Sequence, residues 1–119
     1  MKRILAGILL AAGLAAQPVL AQSIGGKYAV EGTNLDGSAY SGTAEVTLTS
    51  DTTCEIVWET GGTTSQGICM RNDASFAAGY VLGDVIGLVV YKVMADGTLD
   101  GLWTIAGKPG NGTEVLTPQ

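Results

Sequence analysis

Few residues in this chain could carry chemistry. Among 119 residues there are two thiols (Cys54 and Cys69), eleven carboxylates and no histidine. Without imidazole, Ser–His and Cys–His nucleophile systems and His-based metal sites are excluded. A redox role for the thiols would need a Cys-x-x-Cys pair or an adjacent base, and neither is present. Two thiols alone make a poor metal site. Glu55 and Glu59 stand four apart on one strand face, roughly 13 Å along it. That is too far for a pair of glycosidase carboxylates, and both should face water. Counted from Asn34 as a calcium loop, the twelfth position is Glu45. However, the sixth is Ala39 where the sharp turn needs Gly, and Tyr40 onward reads as a strand. Asn111-Gly112-Thr113 fits the glycosylation pattern but reads more simply as a turn opening a strand. The expectation is a protein that is not an enzyme, with no catalytic residues, no metal, no cofactor and a binding residue set that the sequence leaves unknown.

The first 21 residues read as an export signal. Lys2 and Arg3 precede an apolar run from Ile4 to Leu14. Pro18 breaks the helix, and Val19-Leu20-Ala21 allows cleavage before Gln22. The run is short for a membrane anchor, and no later segment is long and apolar enough to span a bilayer as a helix. The remaining 98 residues form one domain. Its four basic residues, Lys27, Arg71, Lys92 and Lys108, stand against all eleven acids, so its net charge is −7 rather than the −5 of the whole chain. That balance argues against nucleic acid as a partner. The acids are scattered singly and read as solvated surface. The expected compartment is periplasmic or extracellular.

What must position these residues is a set of strands. Tyr40, Gly42, Ala44, Val46 and Leu48 alternate with Ser41, Thr43, Glu45, Thr47 and Thr49, a period-two pattern with one wet face. The same reading gives eight strands, near 25–32, 38–49, 53–60, 63–71, 74–81, 86–94, 98–106 and 112–117. Their links are short, including Asn34 to Gly37, Ser50-Asp51, Gly61-Gly62, Asn72-Asp73, Gly83-Asp84 and Asp96-Gly97. Short links require antiparallel neighbours. Eight such strands leave two exposed edges unless the sheet closes, so the fold expected is all-β, an eight-stranded antiparallel up-and-down barrel, with a β-sandwich as the alternative.

Turn chemistry then sets register. A two-residue turn at Gly61-Gly62 places Cys54 directly opposite Cys69, within bridging distance, and an exported chain oxidises such a pair. A three-residue loop, Ala95-Asp96-Gly97, pairs Tyr91 with Gly101, Val89 with Trp103 and, on the outside, Lys92 with Asp100. In these registers Trp58, Trp103, Tyr28, Tyr40 and Tyr91 point inward. They face small partners, among them Gly42, Ser65, Gly67 and Gly101. Large against small fills a narrow barrel, and a filled core is favoured over a cavity lined by rings.

Two resemblances add to this. Gly26-Lys27-Tyr28 resembles the Gly-x-Trp opening of lipocalin- and avidin-like barrels, with Tyr in place of Trp. The segments 28–34, 36–43, 67–70, 96–103 and 112–114 are similar to a family of small exported bacterial proteins often labelled fibronectin-binding. That resemblance implies an exported protein-interaction module with an unidentified protein partner, extracellular matrix being one candidate, and carries over no binding residue. By architecture alone the chain is also similar to periplasmic protease inhibitors, whose N-terminal arm would correspond to Gln22–Gly25. A small-ligand carrier of lipocalin type is the other alternative.

Overall fold

A computed structural model of the chain describes residues 23–119; the export-signal reading of 1–21 lies outside them. Eight strands follow one another as β1 (Gly26–Thr33), β2 (Ala39–Leu48), β3 (Thr53–Thr60), β4 (Thr63–Asn72), β5 (Ser75–Leu82), β6 (Val85–Val93), β7 (Leu99–Ile105) and β8 (Gly112–Pro118). Each pairs with its sequence neighbour, and β1 pairs with β8, which closes the barrel and removes both edges. Closure decides between the barrel and the sandwich.

The turns explain the register. Gly61 and Gly62 take φ values of 56° and 79°, a left-handed pair that glycine adopts without steric cost, and they hold β3 against β4 with Cys54 opposite Cys69. The connections 34–38 and 94–98 share the pattern Asp-Gly followed by a hydroxyl residue, and they fold alike. Gly37 N–H donates to Asn34 O at 2.9 Å and Gly97 N–H to Met94 O at 3.0 Å. Asp36 accepts from the Ser38 hydroxyl and amide, and Asp96 from the Thr98 amide and hydroxyl. These bonds hold both carboxyls below their usual range. The β6–β7 register is the three-residue one, with Tyr91 opposite Gly101 and Lys92 opposite Asp100. One turn differs from expectation. Asn72 pairs with Ser75, so the β4–β5 turn is Asp73-Ala74, one residue later than Asn72-Asp73. Asp73 tolerates the left-handed first position, φ 55°, as short polar side chains do.

The two ends of the barrel differ. At the end bearing the β2–β3, β4–β5 and β6–β7 turns, here the lower end, the interior is solid. Ile56, Phe76, Leu99 and Leu116 have no exposed surface, and Phe76 stacks on Tyr91 with centroids 5.4 Å apart. Burial of each such side chain stabilises by about 1.5–3 kcal/mol. The Cys54–Cys69 disulfide lies in this half, its Cα atoms 4.9 Å apart. Ile24 is buried in the core, and the Tyr28 hydroxyl donates to the Ile24 carbonyl at 2.6 Å. The outer surface is two-sided. Lys27, Glu31, Glu45, Glu55 and Glu59 point out from β1–β3, whereas Ile68, Val81, Ile86, Leu88, Val90 and Leu102 are exposed along β4–β7.

Candidate functional site

The upper half of the interior is hollow. A cavity of about 220 Å³ opens there, walled by Tyr40, Trp58, Tyr80, Trp103 and Glu114 and rimmed by Asn34, Thr60 and Thr63. It holds roughly seven water volumes at about 30 Å³ each. The filled-core expectation therefore holds for the lower half and fails for the upper. The reason is the ring arrangement. Trp58 and Tyr80 meet edge to face at 5.2 Å, and Tyr40 and Trp103 at 6.3 Å, so the rings brace one another around a space instead of stacking through it.

Glu114 is the central polar group, and it corrects the reading of every acid as solvated surface. Its side chain is only 6% exposed. Oε1 accepts from the Tyr40 hydroxyl at 2.7 Å, and Oε2 accepts from Trp58 Nε1 at 2.9 Å and from the Tyr91 hydroxyl. Trp58 Nε1 also points at the Tyr91 oxygen, 3.2 Å away.

Glycines make this convergence sterically possible. On β8, Glu114 stands between Gly32 of β1 and Gly101 of β7. Tyr40 crosses over Gly32 from β2, and Tyr91 crosses over Gly101 from β6. A Cβ on Gly32 would lie 2.5 Å from Tyr40 Cζ, and one on Gly101 would lie 2.5 Å from Tyr91 Cδ1. The two rings thus reach the carboxylate from opposite sides across strands that carry no side chain at that level. Tyr80 crosses Gly87 in the same way, and its hydroxyl donates to Thr104 O at 3.2 Å.

Burial, followed by the Glu114 charge, pushes the Tyr40 and Tyr91 hydroxyls well above the ordinary tyrosine range and Tyr80 up to about 12. All three remain protonated donors at neutral pH.

The structure places the residues singled out in the sequence as follows. Trp58, Trp103, Tyr28, Tyr40 and Tyr91 face inward. Cys54 and Cys69 are bonded to each other, away from the cavity. Glu55 and Glu59 are exposed on β3. Glu114 and Tyr80 are the members of the site that sequence reasoning missed. The signal for Glu114 was present in β8, where Gly112, Glu114 and Leu116 share one face while Thr113, Val115 and Thr117 share the other.

A larger concavity, about 810 Å³, lies chiefly against outward-facing apolar side chains such as Ile68, Leu88 and Leu102. It has no buried polar cluster comparable to Glu114 and its three donors, so the interior cavity is the candidate site.

No family model matches the chain, and no curated protein matches it. Solved structures do. A redesigned β-barrel is similar over 87% of this chain and 98% of its own, with a TM-score of 0.72 and 16% identity. A de novo fluorescence-activating β-barrel is similar over 87% of this chain and all of its own, TM-score 0.67, 15% identity. A redesigned β-barrel, mFAP1, bound to DFHBI, is similar over 79% of this chain and 94% of its own, TM-score 0.68, 19% identity. The likeness is one of fold.

Proposed function

We propose that this chain is an exported, non-enzymatic barrel that takes one small ring-bearing molecule into its upper cavity. The observation that carries the reading is the cavity itself, walled by four aromatic rings around one buried carboxylate that accepts three hydrogen bonds, above a solid lower half. An apolar hollow with a few converging polar groups is the usual form of a small-molecule site. Support comes also from mFAP1, a barrel of the same fold that is bound to DFHBI. The disulfide fits an oxidising compartment.

Two other readings stand behind this one. A protein-interaction module with extracellular matrix as partner rests on the sequence resemblance. A protease inhibitor using Gln22–Gly25 as an arm would have to withdraw Ile24 from the core.

Both tryptophans of the chain line the cavity. Titrating the oxidised protein with benzyl alcohol or other neutral one-ring compounds should therefore change tryptophan fluorescence saturably. Ser65 lies opposite Trp58 on β4. Ser65→Leu fills the hollow, so it should abolish the change while unfolding stays cooperative. No saturable change at millimolar probe, or an undiminished change in Ser65→Leu, overturns the reading.

A further inference from the structure

We infer that the preferred occupant of the upper cavity is a small organic cation, an ammonium carried on or beside a single ring, with the Glu114 carboxylate as its counter-ion. The inference rests on the small-molecule reading above and adds the charge of the ligand.

Glu114 brings a buried carboxylate to the wall of a cavity lined by four aromatic rings, and each group that donates to it is neutral. Its three donors are two tyrosine hydroxyls and one indole N–H. Taking a carboxylate out of water is costly unless a charge of opposite sign accompanies it. Among the described residues, no basic side chain lines the cavity. Lys27, Lys92 and Lys108 are exposed, and Arg71 lies at the lower end, where its Nε donates to Asp73 O at 2.8 Å. None of the four lines the cavity.

A carboxylate offers about four acceptor positions. Oε2 receives two of the donors and Oε1 only one, so Oε1 keeps a position for a ligand N–H. The walls favour the same sign of charge. The faces of Trp58, Tyr80, Tyr40 and Trp103 carry the negative side of the aromatic quadrupole and attract a cation, most strongly when water is excluded. An anion would meet both the carboxylate and the ring faces. At about 220 Å³ the space suits a one-ring compound and is below the range of drug-sized sites.

Three probes of nearly one shape separate the charges: benzylammonium, benzyl alcohol and benzoate. They are titrated into the oxidised full-length protein by calorimetry and tryptophan fluorescence at physiological salt. Benzylammonium should bind roughly tenfold or more tighter than benzyl alcohol, because a charge-assisted hydrogen bond replaces a neutral one, and benzoate should not bind. Glu114→Gln should abolish the preference for benzylammonium over benzyl alcohol when the two are compared in that variant. The wild-type comparison stands even if Glu114→Gln does not fold. Equal binding of benzylammonium and benzyl alcohol, or any preference for benzoate, overturns the cation inference and leaves the small-molecule reading intact. Failure of all three probes to bind overturns both.

Discussion

At the scale of single residues, Glu114 and the glycines beside it explain the site. The carboxylate is buried only because Gly32 and Gly101 leave room on both neighbouring strands for Tyr40 and Tyr91 to reach it. Gly101→Ala should therefore do more than cost the loss of a flexible residue. Its methyl would enter the space of the Tyr91 ring, which is held between Phe76 and Glu114 and has no free direction to move. Overpacking of this kind costs about 1–3 kcal/mol, and denaturant unfolding should report a loss in that range with an unchanged slope. The tyrosines also make the fold sensitive to alkali. Tyr40, Tyr80 and Tyr91 bind their protons more tightly folded than at the ordinary value of 10.0. Their contribution to stability is complete below pH 10. It is lost as the pH rises beyond that, for Tyr80 through about 12, because the unfolded chain releases those protons first. Unfolding free energy followed from pH 8 to 12 should be flat to about pH 10 and then fall, with tyrosinate absorbance appearing together with unfolding. The Glu114 cluster was only half legible in the sequence. The alternation of Gly112, Glu114 and Leu116 put the carboxylate on the inner face. Charge alone argued for the surface, and charge is the weaker guide when three donors converge from three other strands.

At the scale of elements, turn chemistry made the register readable. Gly61-Gly62 admits one pairing of β3 with β4, and that pairing sets Cys54 opposite Cys69. The Asp-Gly-hydroxyl pattern at 36–38 and 96–98 produced the same hydrogen-bonded turn twice, which fixed β1 on β2 and β6 on β7. The β4–β5 turn moved by one residue because Asp73, not Asn72, takes the left-handed position, and no local signal separates two short polar residues at such a place. Ring placement was read correctly for five aromatics. Phe76 and Tyr80 needed the β4–β5 register as well. The disulfide closes a sequence separation of 15 residues, and chain entropy assigns such a bridge about 3 kcal/mol. Cys54→Ser should lower unfolding free energy by about that amount, with the variant insensitive to reductant and the parent protein falling to the same value when reduced. The upper cavity lies away from the bridge, so probe binding to the folded variant should be unchanged.

At the scale of the whole molecule, the barrel is a closed tube solid below and hollow above. The same glycine-and-ring pattern serves both halves. Below, Phe76 and Tyr91 stack parallel and fill the section. Above, Trp58, Tyr80, Tyr40 and Trp103 meet edge to face and leave it open. The sequence supplied large rings opposite small partners but not the angles between ring planes, which depend on all eight strands at once. Fold class was therefore legible and the cavity was not. Exposed apolar side chains concentrate on the outer face of β4–β7, so a small apolar probe has two places to go. The measurement that decides between them is heteronuclear NMR of the oxidised protein titrated with benzyl alcohol. Saturable shifts at the indole N–H groups of Trp58 and Trp103 and at the amides around Glu114, with Ile68, Leu88 and Leu102 unmoved, are the predicted result. Shifts confined to the β4–β7 outer face, or none that saturate, would contradict a ligand site inside the barrel.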